Sequence, residues 1–395
     1  MTQSVFAGTN SGQGSAHRAV PSERRGWSFG RFWALALLLG AALLCSGQSA
    51  TAATPLGNCS SESGLTGRGD IVFCEGWESA DWWRNGYLKT ASTSAPGAAV
   101  SADVANTQVV TSGCVSGSCL RVEMKQYQSG ALAVHWPLNA AGLQPEELHL
   151  RYYLKLGENF DPALCSPDGK PAGSGGKFPG LADVDNYPEE QCGNGGAFAD
   201  GKNCWSMRSM FRDCNMGEAT QSFACTTKPG AKTRFGSYHY YYGQHGYENA
   251  GFWDNIEWGQ GYYSAPFGSC STADDVGGCG KGDGGVMLNG RWYLVEIYVK
   301  MNTPGKADGV VRGWMDGVLS YEKTNMIWRL VGHDNLHVRT VWLNIHAGGE
   351  FVGLCTASYV MLDQLVVATG GRVGPFGGRS VDSSPPAAPS SLRVR

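Results

Sequence analysis

Beyond its first fifty residues the chain carries no sustained helical period, while strand-like runs recur from residue 70 to residue 368. The runs at 70–74, 148–156, 291–301, 338–345 and 358–368 are dense in β-branched and aromatic residues, which suit a pleated, half-buried surface. The segment 311–321 reads as a hairpin, because Asp316-Gly317 is a preferred two-residue turn. Gly occurs 57 times and Pro 17 times, so the strands are short and the turns many. No internal repeat is visible. The expected fold is all-β: a jelly-roll sandwich of two antiparallel sheets with Gly- and Cys-rich loop inserts. Those inserts fall at 166–203, 213–232 and 262–285.

The first fifty residues read as an address. Arg18, Arg24, Arg25 and Arg31 precede an apolar run over 32–44, which is too short for a spanning helix of about 20 residues. Small residues follow, and Ala50-Thr51-Ala52 is an acceptable cleavage site. Residues 1–52 are therefore expected to be a signal peptide of a secreted protein, extracellular or periplasmic, with no membrane contact after cleavage. Residues 53–378 show no linker-like break and are expected to form one domain. Residues 379–395 have the Pro- and Ser-rich composition of a flexible tail.

Charge narrows the partners. The chain holds 31 basic and 34 acidic residues, a net of −3. Cleavage would remove four of the basic and one of the acidic residues, leaving 27 against 33 and a net of −6. Such a chain is not a general nucleic-acid binder. Any polyanion it handles must be gripped by local positive charge. Of 13 Cys only Cys45 precedes the cleavage site. The remaining even number in a secreted chain reads as disulfides, with Cys114–Cys119, Cys270–Cys279 and Cys59–Cys74 as neighbouring partners. No C-x-x-C occurs and no cluster has metal-ligand spacing, so neither metal nor cofactor is expected.

Three segments carry the candidate chemistry. In a strand over 205–212, Trp205, Met207, Ser209 and Phe211 share one face, while Ser206, Arg208, Met210 and Arg212 share the other. One face packs a core and the other projects two guanidinium groups, expected to be solvated. A second strand over 237–243 puts Tyr238, Tyr240 and Tyr242 together, with His239 and Tyr241 behind. In the third, Lys177 is the sole cation of the turn Gly-Gly-Lys-Phe-Pro-Gly-Leu at 175–181.

These runs resemble, in order and spacing, polysaccharide lyase family 14 and the related glucuronan lyases. The run at 175–181 resembles that family's G-G-K-[LF]-P-G-L signature. Ser206-x-Arg208-x-Met210-Phe211-Arg212 is similar to its S-x-R-x-M-W-R strand, with Phe in place of Trp. Tyr238-His-Tyr240, followed by Gln244, is similar to its Y-x-Y strand. Tyr240 and Tyr242 also form such a pair, which leaves two registers open. The elements Gly290-Arg-Trp292, Asn302, Asp308-Gly309 and Trp314-Met-Asp-Gly317 follow the family's order too. The resemblance covers roughly 73–367. Cys-containing inserts separate the motif strands more widely than in the family.

The resemblance implies a concanavalin-like jelly roll and an enzyme that cleaves an acidic, uronate-containing polymer such as alginate or glucuronan by β-elimination; a monomer is expected. It implies Lys177 and Arg208 as carboxylate-neutralising cations, with Tyr238 and Tyr240 as base and acid in either order. Ser206, Arg212, Tyr242, Gln244 and His245 would bind substrate. A Tyr beside two cations is expected to have a lowered pKa. His245 and His346 are alternative bases. Two rival functions remain: a carbohydrate-binding module without activity, and a glycoside hydrolase on the same architecture. A hydrolase needs two flanking carboxylates. The nearest pairs, Asp183 with Asp185 and Glu189 with Glu190, are expected in a loop.

Overall fold

The computed structural model describes residues 57, 62, 64–65, 67–84, 89–90, 104–184, 199–214, 228–243, 254–257, 285–349 and 351–378. The expected leader over 1–52, the tail over 379–395, Gln244, His245, the Cys270–Cys279 pair and Cys59 of the Cys59–Cys74 pair lie outside them.

In chain order the strands begin with β1 (Ile71–Glu75), β2 (Lys89–Thr90), β3 (Thr107–Val110), β4 (Cys119–Met124), β5 (Gly130–Pro137) and β6 (Glu147–Leu156). There follow β7 (Ala163–Cys165), β8 (Pro171–Ser174), β9 (Gly176–Asp183), β10 (Trp205–Asp213), β11 (Thr233–Tyr240) and β12 (Asp254–Glu257). The last are β13 (Val286–Met287), β14 (Trp292–Lys300), β15 (Gly309–Met315), β16 (Val318–Met326), β17 (Thr340–Ala347), β18 (Gly353–Leu354) and β19 (Ser358–Ala368).

Two eight-stranded antiparallel sheets form the sandwich. The first runs β16-β15-β14-β6-β19-β4-β3, with β1 also on β19. The second runs β12-β11-β10-β9-β17-β5-β2, with β13 also on β11. The fold is the jelly roll that the strand pattern predicts. A small third sheet, β18-β7-β8, is crosslinked by Cys165–Cys355 across 190 positions of sequence. That pairing joins two Cys too distant for neighbour reasoning to connect. Cys114–Cys119 forms as expected. Cys74, Cys204 and Cys214 are also disulfide-bonded.

Alternation fills the space between the sheets. Tyr293, Val295, Ile297 and Val299 of β14 and Leu148, Leu150, Tyr152, Leu154 and Leu156 of β6 point inward. Trp205, Met207 and Phe211 of β10 and Val341, Leu343 and Ile345 of β17 meet them from the second sheet. Phe73, Trp82 and Trp136 close one part of the core with ring centroids 4.7 Å and 6.0 Å apart. The hairpin turns where expected: Asp316 and Gly317 take φ values of 51° and 81° between β15 and β16.

The outer face of the first sheet is covered. Arg151 of β6 is wholly buried and donates to both carboxylate oxygens of Glu62 (3.2 and 2.5 Å). The Gly377 amide donates to the same carboxylate, and the Phe376 amide to the Tyr153 hydroxyl. Arg372 and the Val373 amide both donate to Glu296 of β14. A buried charge survives only when paired and hydrogen-bonded. Here that pairing straps residues 372–377 across the back of the sheet.

Candidate active site on the outer face of the second sheet

Residues 176–181, expected as a turn within a loop insert, lie instead in the central strand β9, where three glycines in or next to the strand decide where Lys177 stands. Gly175 has φ 100°, a conformation that disfavours any side chain. At Gly176 a Cβ would lie 2.1 Å from the His346 carbonyl oxygen, and at Gly180 2.0 Å from that of Met207. These glycines therefore let β9 press between β10 and β17. Pro179 sits at a bulge, since Arg208 pairs with Gly180 and Ser209 with Phe178. Proline lacks the ladder N–H, so a bulge is where a central strand tolerates it.

The registers put the candidates on one face. Arg208 lies opposite Tyr238, and Ser206 opposite Tyr240. Lys177 lies opposite Met210 on one side and His346 on the other. Because Met207, Phe211, Leu343 and Ile345 face the core, Ser206, Arg208, Met210 and Arg212 face away from it. So do Trp342, Asn344 and His346. The period-2 reading of 205–212 is borne out, as are Tyr238 and Tyr240 on one face with His239 and Tyr241 behind.

The side chains interlock. The Arg208 guanidinium lies over the Trp342 ring at 4.2 Å and the Tyr238 ring at 5.1 Å. Its Nη1 donates to Asn344 Oδ1 at 2.9 Å. The Lys177 ammonium lies 5.4 Å from the Tyr238 ring centre and donates to the Gly348 carbonyl at 2.5 Å. His346 Nδ1 contacts the same carbonyl at 3.1 Å, which requires a proton on Nδ1. The Tyr238 and Tyr240 hydroxyls are hydrogen-bonded to each other at 2.8 Å. Arg212 is part-buried opposite Arg234.

Three expectations need correction. The Arg208 face is not solvated: Arg208 is 4% exposed, Tyr238 9% and Tyr240 0%. The Tyr238 phenol is not made more acidic. Burial pushes it well above its ordinary value, the Tyr240 phenol adds to that, and Arg208 only partly opposes it. Tyr242 is not on the strand. β11 ends at Tyr240, and Tyr242 sits exposed in the following turn, its amide bonded to the Ile327 carbonyl.

Burial acts on the cations instead. It lowers the Lys177 amine to about 7, with the Arg208 charge adding to the effect. It also lowers His346 to about 3, with Lys177 and Arg208 behind it, so that imidazole is neutral. Trp342 and Asn344 were missed in the sequence. The signal was the same alternation that exposed Arg208, since Trp342, Asn344 and His346 are spaced by two.

Among the described residues, the one grouping of His, Cys, Asp or Glu donors close enough to share a metal ion is Cys114, Cys119 and Asp363. Its two sulfurs are joined to each other, leaving no thiolate to ligate. Asp183, one of the carboxylates expected in a loop, ends β9 instead, where it pairs with Arg339 at 2.7 Å and accepts from the His337 amide. Asp185 and the 189–190 pair lie outside the described residues.

The outer positions of β5, β9, β10, β11 and β17 thus hold cations, aromatics and amides but no carboxylate. They define a cationic, aromatic face on a jelly roll. No family model and no curated protein matches this sequence. Among solved structures the backbone is similar to that of alginate lyase Aly36B. The two are 17% identical over 75% of this chain and 95% of that one, with a TM-score of 0.44. It is also similar to the PL-14 alginate lyase from Aplysia kurodai, at 19% identity over 67% and 87% and a TM-score of 0.43. For the endo-β-1,4-glucuronan lyase from the fungus Trichoderma reesei the values are 13%, 67%, 86% and 0.37.

Proposed function

We propose that this protein is a secreted polysaccharide lyase that cleaves a uronate-containing polymer by β-elimination. One observation carries the reading: Arg208 and Lys177 both flank the Tyr238 ring, whose hydroxyl is hydrogen-bonded to that of Tyr240. The proton to be removed is on C5 of a uronate, beside a carboxylate that is already an anion. It becomes removable only if that carboxylate is held and its developing enolate-like charge is stabilised. The Arg208 fork supplies that contact.

The base must be unprotonated near neutral pH. Lys177, lowered to about 7, meets this condition better than a phenol pushed upward. In this scheme the Lys177 amine takes the C5 proton and the C5–H electrons form the C4–C5 double bond. The C4–O4 bond breaks, and the Tyr238–Tyr240 pair donates a proton to O4. Ser206 and Arg212 border the reacting sugar. The assignment moves the base from tyrosine, where the sequence resemblance put it, to lysine.

A hydrolase would place two carboxylates about the bond, and the outer positions of β5, β9, β10, β11 and β17 have none. The test is a screen of alginate, glucuronan and related polymers, following the absorbance of the new double bond. Unsaturated products made by the wild type and not by Arg208→Ala support the reading. Binding without any unsaturated product would leave a carbohydrate-binding module.

A further inference from the structure

We infer that Asn344 of β17 is the positioning residue that aims Arg208 at the substrate carboxylate, an assignment that rests on the function proposed above. A long arginine side chain on a sheet has several rotamers, and holding one of them costs entropy. Here two ring contacts bound its position: Trp342 at 4.2 Å and Tyr238 at 5.1 Å from the guanidinium carbon. Ring contacts bound where a guanidinium sits but leave it free to rotate. The hydrogen bond from Nη1 to Asn344 Oδ1, at 2.9 Å, removes that rotation. Both partners are buried, Asn344 at 4% and Arg208 at 4% exposed, so the bond is sheltered from competing water.

The partner's chemistry matters. An aspartate there would hold the fork as well but would cancel its charge, leaving nothing to bind a uronate. An amide oxygen orients the guanidinium and leaves it cationic. Asn344 stands two residues from His346 and two from Trp342 on one strand face, so β17 orders the site that β9, β10 and β11 populate.

The experiment is a double-mutant cycle read by steady-state kinetics on the best uronate polymer and by calorimetric binding of a uronate oligomer. Asn344→Ala removes the bond to Nη1 and leaves Arg208 charged. Its kcat should fall about 10- to 100-fold, the cost of a misplaced catalytic group, with little change in KM. Asn344→Asp keeps the geometry and neutralises the charge, so it should raise KM and weaken oligomer binding. In an Arg208→Ala background, Asn344→Ala should add less than about twofold, because the residue it positions is gone. Additive losses, or a fully active Asn344→Ala enzyme, would overturn the inference while leaving the lyase reading intact. Coupled losses of binding in a protein that never yields unsaturated product would keep the inference and refute the lyase. A wild type that neither binds nor cleaves any uronate polymer would refute both. Should Asn344→Ala fail to fold, the near-isosteric Asn344→Asp carries the test, and unchanged KM and binding in it would count against the inference.

Discussion

Lys177 is held by burial and by the Arg208 charge at a pKa of about 7, far below an ordinary lysine. Its uncharged form therefore prevails above pH 7 and its charged form below. If it is the base, the elimination rate should climb as pH rises through about 7. Lys177→Arg, which stays charged throughout, should lose at least about 100-fold in kcat while remaining folded. Initial rates between pH 5.5 and 9 check both; a wild-type rate flat across this range would exclude Lys177 as the base. Tyr238 and Tyr240 share one hydrogen bond, so Tyr238→Phe and Tyr240→Phe should differ, with one nearly inactive and the other mildly impaired. If both keep full activity, the acid lies elsewhere. Much of this site was legible because strand alternation needs no tertiary knowledge: Arg208 and Ser206 fell on the correct face from period alone. The tyrosine pKa was not legible, because its direction depends on how deeply the face is covered. Trp342 and Asn344 escaped because a Trp in an apolar strand reads as core, and only the register against β9 shows which side it takes.

At the level of strands, β9 is the most intolerant element of the site. A methyl group at Gly180 would meet the Met207 carbonyl at 2.0 Å, a backbone atom that cannot swing aside. Gly180→Ala should force β9 and β10 apart, costing roughly 2 kcal/mol or more. A urea melt should show that loss together with loss of activity; an unchanged midpoint would mean the strands part without cost. A second element tests burial without chemistry. The Asp363 carboxyl of β19 is raised to about 7, chiefly by burial, although it accepts from the amides of Val115 and Ser116. The folded protein then holds a proton that the unfolded chain releases between about pH 4 and 7. Its stabilising share is full at low pH and lost as pH climbs through 7. Asp363→Asn keeps an oxygen for both amides without the charge, so it should melt roughly 2–5 °C above wild type at pH 8 and close to it at pH 5. A scanning calorimeter decides this, and equal melting at both values would mean that the carboxyl is not strained. The Asp316-Gly317 hairpin was readable from its dipeptide. The bulge at Pro179 was not, because a Pro in a run normally argues against a central strand.

For the molecule as a whole, the Cys165–Cys355 bridge closes a loop of 190 positions and ties the small sheet to the segment after Gly348. In the chain-entropy model such a loop contributes about 5 kcal/mol. Replacing both residues with Ala should lower the melting temperature clearly while the two large sheets persist in circular dichroism. Because Gly348 accepts from Lys177, the same variant should also lower kcat. Unaltered melting would show the bridge to be incidental. The wider architecture has a further consequence. The strap over 372–377 and Glu62 lie against the outside of the first sheet, whereas Lys177, Arg208 and the tyrosines lie on the outside of the second. The sandwich thus holds the strap and the Lys177–Arg208 face on opposite sides. A carrier, bead or reporter joined at residue 378 would leave from the side opposite Arg208. That geometry makes the C-terminal side the place to immobilise this protein if the polymer is to reach the other.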